Sequence, residues 1–358
     1  MPAKNKWWLD RPLQILNLLL VVLSLGTLLT PYAAPNYFWV LAILGLATPI
    51  LLLSHLIFAL FWLYRKKRYA VLSIGILLMS WTAMEGLVGL NRTEHLAPEK
   101  QAIKIVTYNV RSLKSYPGEN KKVAPEVFKS TIAQLAPDLL CLQEFAHSEA
   151  EREPYLQALK SLGLNYFCYN TEENSRLTIA SRYPLQTIKA HNLGNTANGY
   201  LIAEINQNGT KFNIVNVHLR SNSVTGLTNQ LADEGNLNEK ETWQGIRQVL
   251  GRYKRAAVNR SQQAEQIAAD LTKFKDPVII CGDFNDTGQS YTYRILKENR
   301  KDAFIQSGQG WGASYAGKIP GLRIDYILHP PNFQALKSER APAGFSDHHP
   351  VVAYLELP

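Results

Sequence analysis

Apolar and polar positions follow different rules on either side of residue 91. Leu13 to Thr30 is apolar apart from Gln14, Asn17 and small residues. Tyr37 to Tyr64 carries a single readily charged residue, His55, and Tyr69 to Leu90 carries one, Glu85. A soluble helix shows a polar face, and these stretches show none. Each is long enough to cross about 30 Å of hydrocarbon, and aromatic residues sit near several ends, where an interfacial belt would place them. The pattern predicts a membrane anchor over residues 1–91 with three transmembrane helices, at about 13–30, 37–64 and 69–90. A cleaved signal peptide would account for the first stretch alone and leaves two more spans unexplained.

After a polar linker over residues 92–101, which contains Pro98, short apolar runs alternate with amphipathic stretches. Strands are predicted over Ile103–Asn109, Asp138–Gln143, Leu177–Ser181, Tyr200–Asn206, Phe212–His218, Val278–Cys281, Arg323–Leu328, Phe333–Ser338 and His349–Leu355. Asn208-Gly209 is a hairpin signal between two of them. Helices are predicted over Val123–Leu135, Pro154–Leu162, Ala256–Phe274 and Tyr291–Glu298. Ser221 to about Tyr253 is polar and weakly periodic, and resembles an insertion. Hairpins mixed with crossover helices predict an α/β layered domain over residues 102–358 with more than one sheet.

Charge refines this division. The first hundred residues hold nine Lys/Arg and four Asp/Glu, so +5 of the net +9 belongs to the apolar region. No dense basic stripe of the kind that tracks a phosphate backbone stands out, and the high pI carries little information about nucleic acid. Lys4, Lys6 and Arg11 precede the first span, Arg65-Lys66-Lys67-Arg68 joins the second to the third, and Pro31–Asn36 is uncharged. The positive-inside rule then predicts an inner-membrane protein with its N-terminus in the cytoplasm and everything after Leu90 outside it. Cys141, Cys168 and Cys281 lie in apolar strands and are expected to be small buried hydrophobes.

Six apolar strands or turns end in the same kind of residue. They lead to Asn109, to Glu144, to His218, to Asp283 and Asn285 in Gly282-Asp283-Phe284-Asn285, to Asp325, and to Ser346-Asp347-His348. Taken alone, Asp283 and Asn285 read equally well as an Asx turn after a core strand. Six such endings in one domain predict a cluster at one sheet edge, because strand ends of layered folds converge. Oxygen donors without thiolates suit a hard divalent ion, Mg²⁺ or Mn²⁺. Histidine beside carboxylates moves protons near neutral pH. Together these are parts for attack of water on a phosphoester.

The six motifs, in this order, resemble the endonuclease/exonuclease/phosphatase superfamily, which includes deoxyribonuclease I-like nucleases, abasic-site nucleases, inositol-polyphosphate phosphatases and bacterial sphingomyelinases. The resemblance covers about Ala102 to Pro358 and rests on Gly-Asp-Phe-Asn paired with a terminal Ser-Asp-His. It implies a four-layer α/β sandwich with two central mixed sheets flanked by helices. It also implies roles: Glu144 as the principal metal ligand with Asn109 beside it and Asp347 near the metal; Asp283 as the group that orients or deprotonates water; Asn285 on the phosphate; His348, paired with Asp325, on the scissile phosphate. His218 matches a second histidine of the nuclease and sphingomyelinase branches, a general acid. Arg111 and Arg220 are candidate phosphate contacts, as are Arg176 and Arg182, each equally readable as a surface or paired arginine. His349 is expected to be structural, His147 and His191 to be surface loop residues, and Trp243 and Trp311 either to stack a base or to pack. The leading expectation is a membrane-anchored, metal-dependent phosphodiesterase of nuclease type. A lipid-headgroup or polyol-phosphate esterase is the first rival, and a non-catalytic anchored binding module the second.

Overall fold

A computed structural model of the chain describes residues 7–65, 67–91, 102–118, 120–146, 148–170, 176–194, 197–222, 240–317 and 321–358. The 92–101 linker, Lys66 and His147 lie outside the described residues, as do 223–239 of the expected insertion. Four helices come first: α1 (Trp7–Leu29), α2 (Pro35–Tyr64), α3 (Ala70–Met79) and α4 (Trp81–Leu87). Two helices, α1 with its following turn and α2, are long and apolar enough to cross a membrane. The third expected span is broken: α3 and α4 are bent by 68° and reach that standard only as a pair. The break falls at Ser80, whose φ and ψ of −97° and 20° leave the helical region. After α4, β1 (Val88–Leu90) pairs with β11 (Gln309–Trp311), which draws the chain onto the following domain.

A buried polar node joins the three helical passes. His55 Nε2 lies 3.0 Å from Ser24 Oγ and its Nδ1 lies 3.3 Å from Ser73 Oγ, which donates to Asn17 Oδ1 at 2.9 Å. Such bonds hold apolar helices together where burial of apolar surface cannot. At the far end, Asp10 meets Arg65 at 3.0 Å and Lys67 at 3.7 Å.

The remaining elements are β2 (Ala102–Asn109), α5 (Pro125–Leu135), β3 (Leu139–Gln143), α6 (Glu149–Lys160), β4 (Tyr166–Tyr169), β5 (Thr178–Ser181), β6 (Leu185–Asn192), β7 (Gly199–Gln207), β8 (Thr210–His218), α7 (Lys240–Leu271), β9 (Val278–Asp283), α8 (Tyr291–Lys297), β10 (Lys301–Asp302), α9 (Ala303–Ser307), β12 (Asp325–His329), β13 (Gln334–Arg340) and β14 (Val351–Glu356). They form two six-stranded sheets, ordered β10-β12-β9-β8-β7-β6 and β13-β14-β2-β3-β5-β4. Both are mixed, with β8/β9 and β2/β3 as parallel pairs. Alternate residues of the central strands, such as Ile105, Cys141, Ile214 and Cys281, fill the space between the sheets. The other faces carry α5 and α6 on one side, α7 and α8 on the other. This is the expected four-layer sandwich, and the three cysteines are free and buried in it.

Edge strand β6 escaped the sequence pattern, because Gln186, Thr187, Lys189 and His191 mask its alternation. The two-residue edge strand β10 escaped it too, while Cys168 lies in strand β4 as expected. Helix α6 starts before Pro154, where Ser148 caps it by accepting from the Glu151 N–H at 3.2 Å; the Ser-x-x-Glu spacing signals this start. Helix α7 begins at Lys240, so Lys240–Tyr253 is helix and not irregular insertion. Thr242, Gly245 and Tyr253 form its buried side, and Tyr253 Oη donates to Ala42 O of α2 at 2.8 Å. This side of α7 thus packs on the apolar helix α2.

The N-terminal helices and the sandwich meet over a broad seat. Thr30 bonds to Gln289 O, Arg294 Nε donates to Pro31 O at 2.6 Å, and Thr287 Oγ1 donates to Gly45 O at 3.5 Å.

Candidate active site

The C-terminal ends of β2, β3, β8 and β9 and the first residue of β12 converge on one edge of the two sheets. Register makes the convergence specific. His218 pairs with Asp283 across β8/β9, and Asp325 pairs with Asp283 across β9/β12. Gly282 is what lets β9 lie this close: its φ is +138°, and a Cβ there would stand 2.0 Å from Val217 O. Beneath the edge, Gln143 Nε2 donates to Asn216 Oδ1 at 2.7 Å, tying the two sheets together, a contact no spacing in the sequence announces.

Asp283 is buried at the centre. Its Oδ1 accepts from the Asn285 N–H at 2.8 Å, and its Oδ2 accepts from Asn109 Nδ2 at 2.9 Å and from Asn285 Nδ2 at 3.0 Å. Asn285 adopts φ of +52°, a conformation Asn tolerates. His348 Nδ1 lies 3.0 Å from Asp325 Oδ2, and its Nε2 lies 3.9 Å from Asp283 Oδ2. On the other side, Asn109 Nδ2 reaches Glu144 Oε1 at 3.3 Å, and His218 Nε2 stands 3.7 Å from Glu144 and 3.8 Å from Asp283. Asn109 therefore bridges two arrays, Asp283–Asp325–His348 and Glu144–His218.

The electrostatics follow from burial and these neighbours. Burial pushes the Asp283 carboxyl up, and the Asp325 charge adds to it against His348, His218 and the Asn109 bond, leaving it at about 6. Burial alone would lower His348, but Asp325 and Asp283 outweigh it and push the imidazole up to about 10. Burial would raise Glu144, yet His218, the Asn109 bond, His348 and Arg176 hold it below its ordinary value. The site thus pairs a carboxyl poised near neutral pH with an imidazolium, the separation of values that acid–base chemistry uses.

Donor atoms of Asp283, Asp325 and His348 lie within 4.8 Å of one another, close enough to share one ion. Among buried atoms, Asp325 Oδ1 and both ring nitrogens of His218 have no hydrogen-bond partner. Glu144 is part-exposed beside them. This oxygen-rich set with unmet acceptors fits a hard divalent cation. The carboxylates Asp283 and Asp325 supply oxygen donors beside His348, and Glu144, bonded to Asn109, stands next to them.

Seven predicted residues, Asn109, Glu144, His218, Asp283, Asn285, Asp325 and His348, come together. Asp347 and Arg111 sit at the rim and face each other at 3.4 Å. The backbone of Arg220 accepts from Arg260 Nη1 at 2.9 Å. Arg176 Nη1 donates to Ser112 Oγ at 2.9 Å, beside Glu144. Arg182 is tied to Pro137 O and Asp138, away from the cluster. His349 turns to Arg340 and Ala341 O, as a structural residue does. His191 lies in edge strand β6, bonded to Gln266, and not in a loop. Trp243 and Trp311 are both exposed. Two residues were missed. Ser314 Oγ accepts from the Asp325 N–H at 3.0 Å. Arg260, fully buried in α7, bonds to Asp286 at 3.1 Å and to Asn222 at 2.8 Å, bracing the loops on both sides of the mouth. An arginine at a helical core position was its only signal.

Comparison with known proteins agrees with this geometry. Residues 106–348 match the Endonuclease/Exonuclease/phosphatase family. Residues 10–87 match a second family described as a domain of unknown function (DUF8431). No curated protein matches the chain in sequence. Among solved structures, an endonuclease/exonuclease/phosphatase from Beutenbergia cavernae DSM 12333 superposes with a TM-score of 0.54 at 17% identity, over 72% of each chain. One from Bacteroides vulgatus gives 0.50 at 17% identity, over 72% of this chain and all of that one. At such identity the likeness is one of fold.

Proposed function

The chain belongs to the endonuclease/exonuclease/phosphatase family, and from that premise we propose that it is a divalent-metal-dependent phosphodiester hydrolase seated at a membrane surface. The convergence of Asp283, Asp325, His348, His218, Glu144 and Asn109 on one sheet edge carries the reading. A bound Mg²⁺ or Mn²⁺ would neutralise charge on the phosphate and polarise water. Glu144 and Asn109 would hold it, next to Asp283 and Asp325. Asp283, with a carboxyl at about 6, takes the proton of the attacking water. Asn285 fixes the orientation of Asp283 through two hydrogen bonds, its second amide hydrogen being donated to Leu219 O at 3.1 Å. His348, held as imidazolium by Asp325, stabilises charge developing on the phosphate. His218, whose ring nitrogens have no partner, donates a proton to the leaving oxygen. Arg111 and Asp347 shape the rim.

A nuclease-type phosphodiesterase is the reading favoured by His218. One observation favours a lipid or polyol phosphoester instead: Thr287 and Gln289, close behind Asn285 in the chain, touch Gly45 and Thr30 of the anchor. That contact, at Thr30 between α1 and α2 and at Gly45 within α2, would set the mouth toward the outer end of the apolar helices, near lipid headgroups. Asp10, Arg65 and Lys67 mark the opposite end, in keeping with a cytoplasmic N-terminus and an extracytoplasmic catalytic domain. The test is hydrolysis by the full chain in neutral detergent, with plasmid DNA, RNA and phospholipid vesicles side by side, each with Mg²⁺, with Mn²⁺ and with chelator. Activity on at least one substrate that chelator abolishes is expected. Activity that survives complete chelation overturns the metal role.

A further inference from the structure

We propose that the first half of α7, Lys240–Arg255, is an interfacial arm that binds anionic phospholipid headgroups beside the mouth of the catalytic site. The inference rests on the membrane placement above and is independent of the hydrolytic reading. Within this stretch stand Lys240, Arg247, Arg252, Lys254 and Arg255 against one acid, Glu241. Spacing sorts its residues onto three sides. Thr242, Gly245, Tyr253 and Ala256 are buried. Trp243, Ile246 and Leu250, at i, i+3 and i+7, form an apolar edge on which Trp243 is 58% and Leu250 38% exposed. Gln244, Arg247, Gln248, Gly251, Arg252 and Arg255 share the outer side and line an open depression of about 460 Å³.

Each side has a membrane counterpart. Guanidinium groups gathered on one helical face match phosphate oxygens in charge and in fork geometry. An apolar edge with a tryptophan beside a basic face is the pattern of a helix lying in the headgroup layer. The apolar edge is also continuous with the anchor: Lys254 Nζ sits 5.5 Å over the Trp39 ring of α2, and Tyr253 bonds to Ala42 O. Close by in the chain, Tyr32, Tyr37 and Phe38 are exposed near the same end of the helices. A nucleic acid would use the arginines and stack a base on Trp243 but leave Ile246 and Leu250 without purpose; a bilayer uses all of them. Farther along the same helix, Arg260 braces Asp286 and Asn222 at the mouth, so the arm would hold the catalytic edge at headgroup height.

The test compares the unsubstituted full chain with Arg247→Glu/Arg252→Glu/Arg255→Glu, both purified in neutral detergent. Native mass spectrometry counts bound phosphatidylglycerol and phosphatidylcholine. We expect phosphatidylglycerol retention to fall about tenfold or more in the variant, with phosphatidylcholine unchanged and hydrolysis of a small soluble phosphodiester intact. Equal retention overturns the proposal, as does a variant that loses a single-stranded oligonucleotide but keeps the lipid. Loss of soluble hydrolysis in both proteins counts against the catalytic reading and leaves the lipid measurement standing. An independent measurement needs no charge reversal. In vesicles of phosphatidylcholine and phosphatidylglycerol with brominated chains, Trp243→Phe should remove part of the quenched tryptophan fluorescence, and removal of unquenched fluorescence alone overturns the interfacial placement.

Discussion

His55 and His348 are both buried, and their company differs in kind. His55 is bonded to the hydroxyls of Ser24 and Ser73, and through Ser73 to the Asn17 amide. Every partner is neutral, and the arrangement ties helices together. His348 is bonded to Asp325 and faces Asp283 at 3.9 Å. There, two carboxylates occupy directly paired positions of adjacent strands, where like charges destabilise a sheet. A packing role does not require that cost; a positioned imidazolium and a poised carboxyl do. Burial of a histidine is therefore uninformative until its partners are known.

Four experiments can break or sharpen this contrast. The largest effect is expected from His348→Ala and Asp283→Ala, each lowering kcat/KM about a thousandfold or more, while His55→Ala changes it less than about threefold, since a helix-packing residue makes no contact with the reaction. Steady-state assays of the three variants decide this, and a His55 variant as inactive as the others would erase the distinction. Asp325→Asn should cost about a hundredfold and move the alkaline limb of the pH–rate profile. The carboxylate helps hold the folded imidazole near 10; without it the value falls, and the imidazolium is lost at lower pH.

A third effect concerns stability in chelator. Asp283 titrates at about 6 in the folded protein against an ordinary 3.8. A raised folded value contributes stability that is fully present below 3.8 and lost as pH rises through 6. Melting temperature should therefore fall between those limits by the equivalent of roughly 2 kcal/mol, and Asp283→Asn should flatten the fall. The smallest effect belongs to His55→Ala, which should loosen the helices by about 1 kcal/mol, read by reversible unfolding in mixed micelles, with no change in the pH profile of catalysis.

Much of this was legible in residue order. The strands leading to Asn109, Glu144, His218 and Asp283 are largely apolar runs, because a central strand of a covered sheet is buried on both faces. Their polar terminal residues stand out for that reason. Strand β6 did not stand out, since Gln186, Lys189 and His191 interrupt its apolar pattern at a sheet edge. Arg260 and Ser314 were invisible because their partners, Asp286 with Asn222 and the Asp325 backbone, are remote in sequence.

The seat divides the two sources of information most sharply. Hydropathy alone determined that residues 13–90 are apolar enough to cross a membrane, because that property is a sum over neighbours along the chain. Composition at strand ends determined that carboxylates, amides and histidines would meet, because strand ends of a layered fold share an edge. Only the tertiary structure decided that the third apolar stretch bends at Ser80, that Lys240–Tyr253 is helical, and that Thr287 and Gln289 rest on the N-terminal helices. The last of these depends on contact between segments far apart in sequence. Local propensity is too weak to dictate such choices where long-range packing supplies the larger free energy.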